Sequence, residues 1–161
     1  MMTEIKFLTS DEISKTNKRI EIRAQKDEKI KYEKRFVPLK TRKKLNYMLK
    51  CAIEYYSKTD DIILTAAYYL KNIIILQSLE DGNHRTAITI TKIFLDSNGY
   101  KTKVVDNECY LSFKFDLFMY RNKEYYTNDS LDTSVLKFKD NTEENYVFNY
   151  CLKFLKNKML R

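Results

Sequence analysis

The chain has 161 residues, a length that suits one domain, because a second core would be short of apolar residues. Hydrophobic residues make up 43%, aromatic residues 14% and charged residues 32%, which is too apolar and aromatic for a disordered chain. Two glycines and one proline are too little turn punctuation for a sandwich or barrel of short hairpins and suit a few long helices, and the net charge is +8.

All of the charge excess lies in residues 1–59, with 16 Lys/Arg against 8 Asp/Glu, and it concentrates between Lys26 and Lys50. A basic field of this kind steers polyanions such as nucleotides, RNA or acidic protein segments; a solvated lysine-rich surface has the same composition.

Ile5 to Leu8 reads as a short extended start, and Thr9 and Glu12 stand at capping-box spacing. They predict a first helix from about Ser10 to Ala24, with Ile13, Asn17 and Ile20 on one face. From about Gln25 to Leu39 the period lapses. That segment holds Pro38 and the β-prone Arg35-Phe36-Val37, and it reads as a loop or small hairpin. The helical period returns at Thr41 and runs to near Ser57, with Leu45, Met48, Leu49, Ala52, Ile53 and Tyr56 as its apolar face. A third helix, from Asp61 to about Leu76, is apolar nearly all round and is therefore expected at the centre.

A fourth helix is expected from Ala87 to Ser97, closed by Asn98-Gly99 as its C-cap. Beyond it the pattern weakens. Lys101 to Val105 reads as a short strand, and Asn107 to about Met119 as a helix. A last helix runs from Thr142 or Glu143 to Lys158, with Tyr146, Val147, Tyr150, Cys151, Phe154 and Leu155 inward. The expected fold class is mainly α.

Cys51, Cys109 and Cys151 are far apart, show no CxxC spacing and have His84 as their one histidine, so a zinc site or disulfide scaffold lacks its parts. They read as reduced core thiols of a cytoplasmic protein. The first residues lack the apolar core of a signal peptide, and Lys71 and Asn72 interrupt the longest apolar stretch, Ile62 to Leu79, so no membrane span is expected.

Asp81-Gly82-Asn83-His84-Arg85-Thr86 falls between two apolar helices. The first N–H groups of a helix have no intrahelical partner and its dipole is positive there, so a glycine turn leading into one can cradle phosphate oxygens. In such a site Asn83 donates to an oxyanion, Arg85 clamps a phosphate bidentately and Asp81 holds the accompanying Mg²⁺. The same residues also make a good turn with a good N-cap, so spacing alone leaves both readings open.

Four segments together resemble the Fic/Doc family, most closely its death-on-curing (Doc) branch, over about residues 5–100. They are Thr9-Ser10-Asp11-Glu12-Ile13, Ala67-Tyr68-Tyr69-Leu70, Leu79 through Ala87, and Phe94-Leu95-Asp96-Ser97-Asn98-Gly99. The family motif reads His-x-Phe-x-Asp/Glu-Gly-Asn-x-Arg. The resemblance implies a helical bundle with a short flap hairpin, residues 101–161 being a helical extension of the same domain. It also implies a loop that binds Mg²⁺ and ATP or another nucleoside triphosphate. Most Fic proteins transfer AMP to a protein hydroxyl, whereas Doc toxins transfer the γ-phosphoryl group to elongation factor Tu, so the implied target is a protein such as a translation factor.

By position, Asp81 is the metal residue, Gly82 and Asn83 form the anion hole, Arg85 is the clamp, and Leu79 replaces the motif phenylalanine. Arg35, Phe36 and Val37 fall where the family flap holds its target by strand addition. The general-base histidine is replaced by Gln77. An uncharged amide cannot take a proton from a hydroxyl, and general-base catalysis typically contributes ~10²–10⁴-fold, so weak or absent transfer is the expectation. His84 occupies the variable motif position and is expected either to contact phosphate or to be an exposed surface histidine. A relocated base there is disfavoured, because a side chain on the first turn points to solvent or phosphate.

The self-inhibitory Ser/Thr-x-x-x-Glu-Gly/Asn pattern is matched only by Glu144-Asn145, with Asp140 in place of the hydroxyl residue. Inhibition is then expected from a separate antitoxin, as in the Doc branch. The alternative is a non-catalytic scaffold that binds a protein partner or RNA through the Lys26–Lys50 region.

Overall fold

The computed structural model describes residues 4–28, 39–76, 83–124 and 133–161. Six α-helices follow in order: α1 (Ser10–Glu28), α2 (Leu39–Thr59), α3 (Ile62–Ile75), α4 (Asn83–Ser97), α5 (Asn107–Glu124) and α6 (Tyr146–Phe154). Two 3₁₀ turns, Thr133–Leu136 and Phe138–Asp140, precede α6, and a π-helical turn, Leu155–Met159, continues it. Among the described residues there is no strand, so the mainly helical class expected from the sequence is observed. Among the described residues an isolated bridge pairs Thr102 with Leu160. Lys103 N–H donates to Met159 O at 2.8 Å and Arg161 N–H to Lys101 O at 3.0 Å, which takes the place of the strand expected at Lys101–Val105. Val104 there is 83% exposed, and a strand needs a buried face to pair against. No helix among the described residues is long and apolar enough to cross a membrane.

Local chemistry sets the helix ends. Thr9 caps α1: Glu12 N–H donates to Thr9 Oγ1 at 3.2 Å, and the Thr9 hydroxyl donates to Glu12 Oε1 at 3.1 Å. Between α2 and α3 only two residues turn the chain. Asp60 adopts a left-handed φ of 50° and donates its N–H to Tyr56 O, and Asp61 accepts from Leu64 N–H as the cap of α3. At the end of α4, Gly99 has φ +92°, Tyr100 N–H returns to Leu95 O and Gly99 N–H to Asp96 O. These two bonds are a Schellman cap, as Asn98-Gly99 predicts.

The central helix is α3: every residue from Thr65 to Ile75 is buried, with α4, α2 and α6 packed around it, and α1 packed on α4. A single apolar cluster extends from Leu8 to Met159. On α2 the buried stripe ends at Tyr55, whereas Ile53, expected inward, is 46% exposed and Tyr56 is half-buried. The last helix starts later than expected because Asn145 caps it, accepting from Phe148 N–H at 2.9 Å. That register turns Phe148 and Leu152 inward beside Val147, Cys151 and Leu155, and leaves Tyr146 61% exposed. Of the three cysteines, all free, only Cys151 is fully buried.

The two residues that interrupt the apolar run, Lys71 and Asn72, lie in the core at 0% exposure. The Lys71 ammonium donates to Asp140 O at 2.6 Å, Asn141 Oδ1 at 3.1 Å and Val135 O at 3.4 Å. Asn141 Oδ1 also accepts from Asn72 Nδ2, and Asn141 Nδ2 donates to Val135 O and Lys137 O. Tyr55 and Tyr68 add hydroxyl bonds to the carbonyls of Asn141 and Leu136. Buried polar groups cost free energy unless bonded, and here the Lys71 ammonium and the Asn141 amide supply donors for backbone carbonyls of the segment 133–141. Burial, partly offset by Cys151 and Asp140, still brings Lys71 down to about 8.

Candidate functional site

The fourth helix begins at Asn83, four residues before the Ala87 expected from its apolar pattern. His84, Arg85 and Thr86 are therefore the first turn of a 15-residue helix rather than the loop before it. The polar residues of that turn hide the helix start from an apolar-periodicity reading. Its leading N–H groups are those a helix leaves without intrahelical partners, and they carry the positive end of the dipole.

This turn is pinned on the α1 side. Thr86 and Ala87 are fully buried, and Asn17 Nδ2 donates to Thr86 Oγ1 at 3.1 Å in the interior. The bond explains why a polar residue shares the apolar face of α1 with Ile13: it meets a hydroxyl.

On the other side stands α5. The Arg85 guanidinium carbon lies over the Tyr110 ring, 4.3 Å from its centroid, and the His84 ring meets Phe113 edge-on at 6.5 Å and 83°. Phe113 is itself fully buried and stacks on Phe154 of α6 at 4.2 Å. The start of α5 is capped by Asp106, which accepts Cys109 N–H at 2.8 Å; that bond holds its carboxyl below the usual range.

Arg85 is exposed and stands on the first turn of α4. His84 is half-buried with its Nε2 shielded from solvent, so it is not the exposed surface histidine that one reading expects. Asn83 opens α4, and only its backbone is described. Gln77, Leu79, Asp81 and Gly82 lie outside the described residues, as do the flap residues Arg35, Phe36 and Val37. Among the described residues no group of three or more His, Cys, Asp or Glu could hold a metal ion. The donor set that is described, a cation beside the N-terminus of a helix, suits an anion.

Three residues of this site, Asn17, Tyr110 and Phe113, were not among the site residues expected from the sequence. Asn17 could have been singled out as a polar residue at helical spacing on an apolar face. Tyr110 and Phe113 are spaced like any core pair of aromatics among 13 tyrosines and nine phenylalanines. Comparison of the chain with family models, with curated proteins and with solved structures returned no match.

Proposed function

We propose that Asp81 to Thr86 and the start of α4 form a Mg²⁺–nucleotide phosphate site of Fic/Doc type, in a protein whose transfer chemistry is impaired by Gln77. The observation that carries this reading is Arg85, an exposed cation on the first turn of a helix whose register is locked by the buried Asn17–Thr86 bond. A helix N-terminus and a guanidinium at one place attract the same ligand, a phosphate. In this reading Asp81 holds Mg²⁺, Gly82 and Asn83 offer N–H groups to phosphate oxygens, and ATP is the ligand. Any group transferred is AMP or phosphoryl, to a protein hydroxyl. The setting is cytoplasmic, with a translation factor as the class of target and an antitoxin as the inhibitor.

Calorimetry with ATP and Mg²⁺ at low salt tests the reading without presuming a target. The natural protein binds, and Arg85→Ala weakens binding about tenfold or more, the loss expected for a charge-assisted hydrogen-bonding group. Asn83→Ala weakens it as well. Absence of binding by the natural protein, or equal binding by all three, refutes the site.

A further inference from the structure

We infer that α5 is the second wall of this phosphate site, and that Tyr110 is a positioning residue that holds the Arg85 guanidinium where a phosphate arrives. The inference rests on the phosphate reading of the α4 start and adds to it a part of the chain, residues 101–161, that the family resemblance does not cover.

An arginine on an exposed first turn samples many rotamers, and fixing it on a ligand costs side-chain entropy if nothing orders it beforehand. Here the guanidinium already lies over an aromatic face. A cation held over a ring is attracted by the π cloud and needs no acceptor for its N–H groups, so the planar fork remains for an anion to grip. The platform is itself anchored. Tyr110 is 8% exposed, its N–H is bonded to Asp106 O at 2.9 Å, and Phe113, one turn on along the same face of α5, is buried in the core.

The neighbouring base, His84, meets the same face of α5 one turn on, edge-on to Phe113 with Nε2 shielded. Of the two basic side chains on the first turn, Arg85 is thus the one presented to a ligand, and α5 sets both orientations. A lysine at 85 would keep the charge and lose the planar fork.

The test is a cycle of variants of the full chain, each titrated with ATP and Mg²⁺ at low salt after its helical circular dichroism is shown to match the natural protein. Tyr110→Leu is expected to weaken binding about three- to tenfold, the range for loss of a cation–π contact that orders a clamp. Tyr110→Phe, which keeps the ring, is expected within about twofold of the natural protein, because the cation–π contact needs no hydroxyl.

In an Arg85→Lys background, Tyr110→Leu is expected to cost less than about twofold, since the guanidinium that the ring orients is already gone. Should Tyr110→Leu not fold, Tyr110→Met is read in the same way. Unchanged binding by Tyr110→Leu, or an equal loss in the Arg85→Lys background, overturns the positioning role while leaving the phosphate site standing. No binding by the natural protein overturns the phosphate site, and the inference with it.

Discussion

Replacing Lys71 with methionine should remove a distinctive pH dependence from the stability of the protein. The ammonium is fully buried, and burial lowers it from the ordinary 10.5 to about 8 despite three oxygen acceptors. At neutral pH the lysine is charged in both the folded and the unfolded chain, so the whole cost of a buried charge is present there. At 1.36 kcal/mol for each tenfold change in proton affinity, that cost is about 3 kcal/mol. As pH rises through 8 the folded protein releases the proton while the unfolded chain keeps it until about 10.5. The unfolded state then binds more protons, and stability rises with pH.

Cys151 works in the opposite sense, because burial pushes its thiol up to about 12 from 9.0 and the folded state alone keeps that proton above pH 9. The natural protein should therefore gain about 1 kcal/mol between pH 8 and 9 and little beyond. Lys71→Met gives up the ammonium's hydrogen bonds but also removes the desolvation of a buried charge, and apolar replacement of a buried charge is often near neutral, so near pH 7 it should lie within about 2 kcal/mol of the natural protein. Urea denaturation followed by circular dichroism at pH 7, 8, 9 and 10 should show the natural protein pulling ahead of Lys71→Met by about 3 kcal/mol over that range. A difference that does not change with pH would mean that Lys71 titrates at its ordinary value and is not enclosed as described.

Two further substitutions probe the polar interior. Asn141→Leu keeps the volume but strips the amide that accepts from Lys71 and Asn72 and donates to Val135 and Lys137; with the ammonium left under-solvated it should cost about 3–5 kcal/mol in chemical denaturation. Combining it with Lys71→Met should restore part of that loss, and a loss under about 1 kcal/mol for the single variant would contradict the network. Thr86→Val, isosteric at a fully buried position, deletes the hydroxyl that Asn17 meets and should cost about 1–2 kcal/mol; a melting temperature equal to that of the natural protein would show that the bond does not hold the start of α4.

Much of the helical order was legible because apolar residues recur at helical spacing up to Gly99, and because Thr9, Asp61 and Gly99 are strong terminal signals that the backbone obeys. The helix expected from Asn107 is observed as α5, and the pattern is weaker there for a physical reason. That helix is apolar on two sides, with Tyr110, Phe113 and Leu117 buried and Leu111, Phe115 and Met119 exposed, so no single stripe stands out. Lys71 and Asn72 read as an interruption because their acceptors lie 64 to 70 residues away, in a segment without periodicity. At the candidate site the motif singled out Arg85, whereas the helix start at Asn83 was hidden by the polar residues of its first turn. The wall contributed by α5 was not legible, since an aromatic that supports an arginine is spaced no differently from one that fills a core.

The two polar features lie on the same helical scaffold. Lys71 and Asn72 stand four to five residues before Leu76, about 7 Å along the axis from the point where α3 gives way to the motif. The segment 133–141 is bonded to this end of α3, and α6, which follows it, carries Phe154 against Phe113 and Tyr150 against Asp116, holding α5 beside His84 and Arg85. The last third of the chain therefore does two structural jobs, satisfying a buried cation on α3 and bracing the aromatic platform next to α4. Because a close-packed core transmits displacements rather than absorbing them, loosening the Lys71–Asn141 cluster should be felt at the α4 start through α6 and α5. Nucleotide affinity of Asn141→Leu then offers a physical readout of whether interior and site are joined in this way.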